Sequence, residues 1–213
     1  MKKLNDTRLW ISDWSGVMSD DRLPVYEANM RVVERHGIKR ISFAEWLPRT
    51  QLGARELFAH MGLTEENGDM LFEEYRDALS AVRSEGIHPV VYADALFFMQ
   101  AIAARGGEII VVSTHPKDHL MKEAQEYGLF PHVSQFIGDS KDKVPAIEEI
   151  LSVKDIAHSA VAYMGDTIYD IHAAKAVGVT SVAVATGYHT KERLLAEQPD
   201  VLAGSLSELL VLV

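Results

Sequence analysis

Short apolar runs separated by stretches of helical periodicity constrain this chain more than any other feature. The runs are Leu9–Ser12, Glu108–Val112, Val133–Ile137, Ala160–Met164 and Ser181–Val184. Runs this short, bounded by polar residues, read as strands buried on both faces rather than as helices. Between them the apolar residues recur with helical spacing, over roughly Ala93–Arg105, Lys117–Tyr127, Val144–Leu151, Tyr169–Val177 and Thr190–Glu197. Gly106, Gly128 and Gly178 stand where left-handed helix caps are expected. Strands alternating with helices predict an α/β fold, a doubly wound, Rossmann-like parallel sheet joined by right-handed crossovers.

The interval 20–89 breaks that rhythm. It has no strand-like run and carries amphipathic segments at Val25–His36, Phe43–Glu45, Arg55–His60 and Leu71–Val82. The expected organisation is a core domain from residues 1–19 and 90–213, with a helical cap, residues 20–89, inserted after the first strand. A chain of 213 residues with 47% hydrophobic content can bury such a core.

Composition narrows the function. A net charge of -10 argues against a nucleic-acid surface, which needs clustered Lys and Arg. Local donors or a cation can still bind a small phosphorylated ligand against that field. The absence of cysteine excludes disulfides, thiolate metal sites and cysteine nucleophiles. No apolar run reaches the length of a membrane span, and Met1–Arg8 lacks a signal-peptide core, so the expected location is the cytoplasm.

In an open parallel sheet, ligands bind at the carboxyl ends of the strands. Asp13 follows the first run, "STHP" (Ser113–Pro116) follows the second, and "GDTIYD" (Gly165–Asp170) follows the fourth; "KDK" (Lys141–Lys143) precedes a helix. Any one of these aspartates would pass as a helix cap or turn residue. Their recurrence at successive strand ends points instead to a site. Carboxylates at Asp13 and Asp166 suit a hard cation such as Mg2+, and a carboxylate is also a competent nucleophile toward phosphorus. Ser113 and Lys143 would bind and neutralise a transferring phosphoryl group.

With these residues in place the sequence resembles the haloacid dehalogenase superfamily of phosphohydrolases over nearly its whole length. "DWSGVMSD" is similar to the family's first motif, D-x-D-G-[TV]-x-x-D; "VVST" to its second; Lys143 before a helix to its third; and "GDTIYD" to its fourth. The tail "GVTSVAVATGYHTKERLLAEQPDVLAGSLSELL" resembles the phosphoglycolate-phosphatase-like branch. The resemblance implies Asp13 as nucleophile, Asp166 as direct Mg2+ ligand and Asp170 as an outer carboxylate. It implies Ser113 and Lys143 as the phosphate-binding pair, with Thr114 beside them, and the backbone carbonyl of Ser15 as a further metal ligand. Lys141 competes with Lys143 for the third-motif role; Lys143 is preferred because it stands four residues before Ile147, the first buried helix position. The inserted helices resemble the family's C1 cap, and the implied partner is a small phosphorylated substrate. Trp14, beside the nucleophile, is a candidate pocket residue or equally a packing residue beneath the cap, and Arg49 and Arg55 are candidate anion ligands in the cap. "FFMQ" (Phe97–Gln100) is expected in the core, and His115, after the second motif, in a solvent-facing loop ahead of a contact with substrate.

One position departs from the family. Ser15 stands where a second first-motif aspartate normally serves as general acid and base, and a serine hydroxyl cannot act as a base near neutrality. P-type ATPases resemble this arrangement, with threonine there, and phosphonoacetaldehyde hydrolases read D-W-A-G-T. The latter need a cap lysine for a Schiff base; here the cap offers only Lys39, and the matching position in "LGARE" is Glu56. The expected function is therefore a Mg2+-dependent phosphatase, ahead of a C–P bond hydrolase or a catalytically weak phospho-ligand-binding relative. The dehalogenase branch ranks lower, since it lacks the Gly-Asp of the fourth motif.

Overall fold

The computed structural model describes residues 4–52, 54–63 and 68–213. The chain divides into two compact units, Met1–Ser19 with Val91–Val213 and Asp20–Val90.

The first unit is built on a six-stranded sheet. Its strands are β1 (Leu9–Ser12), β4 (Glu108–Val112), β5 (Gln135–Ile137), β6 (Val161–Gly165), β7 (Thr180–Val184) and β8 (Val201–Ala203), in the order β5-β4-β1-β6-β7-β8. The two-residue strands β2 (Ser19–Asp20) and β3 (Val90–Val91) mark the points where the chain passes between units. Every neighbouring pair in the large sheet is parallel, and β1 is central, with Ile11 in register with Ile110 on one side and Tyr163 on the other. Because strand side chains alternate, each strand feeds both faces. Trp10, Ile109, Val111, Ala162 and Met164 join one cluster with Phe98, Met99 and Ile102 of α5 (Ala95–Ala104), Leu120 and Ala124 of α6 (Lys117–Glu126), and α10 (Leu206–Leu210). Leu9, Ile11, Ile110, Val112 and Tyr163 join the other with α7 (Lys143–Lys154) and α8 (Ile168–Val177). Helix α9 (Lys191–Ala196) packs through Leu194 against Ile171 and Ala183.

The sheet and its flanking helices agree with the sequence reading, with local differences. The strand expected from Val133 begins at Gln135, and Ser134 before it donates both its hydroxyl and its amide to the Ile109 carbonyl, each at 2.9 Å. Strand β8 and helix α10 lie within the family-like tail but have too little apolar run to stand out. The "FFMQ" expectation holds for Phe98 and Met99; Phe97 is 63% exposed, because consecutive residues of a helix point a hundred degrees apart. Gly106, Gly128 and Gly178 adopt positive φ values of 73°, 70° and 73° after their helices.

The second unit is helical: α1 (Arg22–Arg35), α2 (Phe43–Trp46), a 3-10 segment at Leu47–Leu52, α3 (Ala54–His60) and α4 (Gly68–Ser84). α1 packs on α4, a pairing tied at its rim by the Arg31–Glu85 ion pair and the His36–Glu74 hydrogen bond. Tyr26, Phe43 and Trp46 form an aromatic triplet with each pair of centroids 5.4 Å apart. The Tyr26 hydroxyl donates to the Ile41 carbonyl at 2.7 Å, and a Ser42–Glu45 capping box starts α2.

Candidate active site

The carboxyl edge of the large sheet brings together Asp13, Lys143, Asp166 and Asp170. Asp13 follows β1 directly, its amide donating to the Met164 carbonyl at 2.8 Å. It extends the ladder by one step and leaves its side chain at the strand end. Asp166 follows β6, and Asp170 is the third residue of α8, where it closes a capping box with Thr167. Lys143 opens α7 behind the cap residue Asp142. Among the described residues, Asp13, Asp166 and Asp170 are the carboxylate group that could hold a metal ion, with one oxygen of each lying within 4.8 Å of the others.

Hydrogen bonds divide the cluster. The Lys143 ammonium donates to Asp13 Oδ2 at 2.5 Å and to Asp170 Oδ1 at 2.7 Å. Asp170 also accepts from the Tyr163 hydroxyl at 2.7 Å, the Thr167 hydroxyl at 2.6 Å and the Thr167 amide at 3.0 Å, so it is held from every side. Asp13 Oδ1 accepts from the Trp14 amide at 2.7 Å, and Asp166 Oδ2 from the Tyr188 amide at 2.7 Å. Glycines permit this closeness. A Cβ on Gly16 would meet Asp166 Oδ2 at 2.2 Å, one on Gly187 would meet it at 2.0 Å, and one on Gly165 would meet the Asp170 carboxyl carbon at 2.1 Å.

The electrostatics follow from burial and neighbours. Burial pushes Asp166 well above the usual carboxylate range, and the charges of Asp170 and Asp13 push it further. Burial also raises Asp13, with Lys143 opposing. For Asp170 burial acts upward too, but Lys143 and its hydrogen-bond donors outweigh it and hold the group low. Burial disfavours the Lys143 charge, yet Asp13 and Asp170 keep it protonated well above the ordinary lysine value. With three carboxylates facing one ammonium, the cluster carries an excess of hard, negative oxygen donors.

The remaining sequence candidates fall in different places. Ser113 directly follows β4, is buried, and accepts from the His115 amide at 3.3 Å; Thr114 beside it is exposed. Lys141 is exposed and Lys143 is the lysine on the carboxylates. Ser15 places its hydroxyl 3.2 Å from His115 Nδ1, so this histidine faces the site rather than solvent alone. The Trp14 ring is fully buried in the first unit's core, as the packing reading expects, with Nε1 donating to Glu123 Oε2 at 2.9 Å. Alternation explains this, since Asp13 and Trp14 leave the strand on opposite sides. Arg49 is exposed in the 3-10 segment of the second unit, and the Arg55 and Glu56 side chains lie outside the described residues. Sequence reasoning missed Tyr163, which lies inside a strand and looks like core, and the Thr186–Tyr188 stretch after β7. The latter lay within the quoted tail, and its Gly187 was the available signal.

A doubly wound parallel sheet with buried aspartates beyond β1 and β6 defines a class of protein, the haloacid dehalogenase-like hydrolases. The sequence profile of that family, described as haloacid dehalogenase-like hydrolase, matches residues 11–184, and the chain belongs to it. Among curated relatives it is 28% identical over 162 residues to a phosphoglycolate phosphatase of Escherichia coli K12, covering 73% of this chain. It is 33% identical over 147 residues to one of Shigella boydii, covering 66% of this chain. The matched region spans 56% of the length of each relative. A haloacid dehalogenase-like family hydrolase from Streptococcus pneumoniae superposes with a TM-score of 0.84 at 18% identity, covering 97% of this chain and 98% of that one; at this identity the likeness speaks for the fold.

Proposed function

We propose that this protein is a Mg2+-dependent phosphatase of a small phosphorylated metabolite, working through an aspartyl phosphate on Asp13. The observation that carries this reading is the buried cluster of Asp13, Asp166 and Asp170 around Lys143. Oxygen-only donors with excess negative charge fit a hard cation, which Asp13, Asp166 and the Ser15 carbonyl would hold, with Asp170 behind them. When bound, Mg2+ supplies positive charge that lets an anionic nucleophile approach an anionic phosphate. An Asp13 oxygen attacks phosphorus, the ester P–O bond breaks, and its electron pair leaves on the alcohol oxygen. Water then attacks the same phosphorus, the P–O bond to Asp13 breaks and returns the carboxylate, and the proton that water loses balances the one taken up by the departing alcohol. Ser113 and Lys143 hold the equatorial oxygens throughout.

The test is a panel of phosphate esters and phosphonates assayed with Mg2+ and with EDTA. Hydrolysis of at least one ester that EDTA and Asp13→Asn each abolish is expected. Undiminished turnover in EDTA would replace the metal-assisted mechanism. A borohydride-trapped lysine adduct with phosphonoacetaldehyde would replace the phosphatase by a C–P bond hydrolase.

The contact between Ser15 and His115 favours a second element of this reading. The family's carboxylate is absent, but the Ser15 hydroxyl bridges toward an imidazole at 3.2 Å, and together they have the reach and chemistry to move the proton. The general acid–base contribution of about 10²–10⁴-fold is then retained in part. With an activated aryl phosphate, the native protein should show no burst, and His115→Ala should introduce one by slowing breakdown of the phosphoenzyme. A burst in the native protein that Ser15→Asp removes and His115→Ala leaves unchanged would show a plain catalytic deficit instead.

A further inference from the structure

The nucleophile loop is wound around Trp14. The Trp14 amide donates to Asp13 Oδ1 at 2.7 Å, and the Trp14 carbonyl accepts from the amides of Met18 at 2.8 Å and Ser19 at 3.1 Å. The side chain of this residue is in turn held by one helix. Its indole N–H donates to Glu123 Oε2 at 2.9 Å, and its ring lies parallel to Tyr127, 7° between planes and 6.3 Å between centroids. Glu123 lies on α6 and Tyr127 caps it, a spacing of four residues that puts both on one face. The Tyr127 hydroxyl also lies 3.5 Å from Ser19 Oγ, at the far end of the same loop. α6 itself starts directly after the Ser113–Pro116 loop. One rigid element therefore links the phosphate-binding serine to the loop that carries Asp13.

Glu123 is only 7% exposed. We propose that Glu123 is a positioning residue for the nucleophile, fixing the Asp13 carboxylate through Trp14. This rests on the phosphatase reading above. Its effect lies on kcat, because Asp13 must be aligned with phosphorus for attack whereas substrate affinity comes from other groups. A misplacement of about 1 Å can cost on the order of 100-fold in rate.

The experiment compares Glu123→Leu, Glu123→Gln and Trp14→Phe in the full chain, assayed with Mg2+ well below each variant's melting midpoint. Glu123→Leu leaves the indole without its acceptor and should lower kcat by roughly 10- to 100-fold with KM within about twofold. Glu123→Gln keeps an acceptor oxygen and should retain most of the rate. Trp14→Phe should resemble Glu123→Leu, and the double variant should be no worse than either single one. A Glu123→Leu rate within twofold of native, or equal losses in the Leu and Gln variants, would overturn the proposal and leave Glu123 a core residue. If no ester is hydrolysed in an Asp13-dependent way, the phosphatase reading fails by itself. Amide exchange at Met18 and Ser19 then decides the proposal: faster exchange in Glu123→Leu than in Glu123→Gln supports it, and equal exchange overturns it.

Discussion

Replacing Lys143 by Met tests the electrostatic account of the site most directly. The ammonium lies 2.5 Å from Asp13 Oδ2 and 2.7 Å from Asp170 Oδ1, and all three side chains are largely buried. At an effective dielectric of about 20, each contact represents a gross attraction on the order of 6 kcal/mol. Desolvation of the ions, several kcal/mol each, offsets much of this. Removing one partner leaves the desolvation in place without the attraction, and such losses are typically about 3–5 kcal/mol. Methionine fills a similar volume, so a cavity adds little. Urea unfolding in EDTA at pH 7 should therefore show Lys143→Met less stable by about 3–5 kcal/mol. The pH dependence has a definite sign. In the native protein, burial pushes Asp170 up but Lys143 and its hydrogen bonds hold it low, so it contributes stability above the ordinary carboxylate value, lost as pH falls through its depressed pKa. Without Lys143 the largest lowering influence is gone. Burial then favours protonated Asp170, and acidification relieves the variant before it harms the native protein. The stability gap should narrow steadily from pH 7 toward about pH 4. A variant within about 1 kcal/mol of native at pH 7, or a gap that stays constant on acidification, would refute the reasoning.

Asp166→Asn should be more stable than the native protein in EDTA at pH 7. Burial and then the charges of Asp170 and Asp13 raise its pKa, so the ionised form is penalised in the fold and the advantage of Asn should fade on acidification. Adding Mg2+ should reverse the order in thermal unfolding: the native protein gains about 2.7 kcal/mol at 100 times the dissociation constant, and the variant much less. Gly16→Ala should lose both hydrolysis and the Mg2+-dependent stabilisation. Its Cβ would stand 2.2 Å from Asp166 Oδ2, at a φ of 74° that already costs an L-residue about 1–2 kcal/mol.

The sheet was legible in the sequence because a strand buried on both faces must be apolar along most of its length, as Leu9–Ile11 and Ile109–Val112 are, and the site residues follow soon after. That local rule placed Asp13, Ser113 and Asp166 at strand ends, and the fourth-motif and third-motif resemblances placed Asp170 and Lys143 beside them. The local pattern could not say which distant residues face them. Lys143 was separated from Lys141 by its contacts with Asp13 and Asp170, a closure that joins β1, α7 and α8 across 130 and 27 residues of sequence. The same closure brought His115 to Ser15 and sent the Trp14 ring to Glu123, 109 residues away, contacts that the local pattern left open. Short-range periodicity determines which residues lie on a strand, on a helix or at an end. Only the packing of those elements decides which charges share a desolvated space, because that proximity depends on the order β5-β4-β1-β6-β7-β8 rather than on the order of the chain.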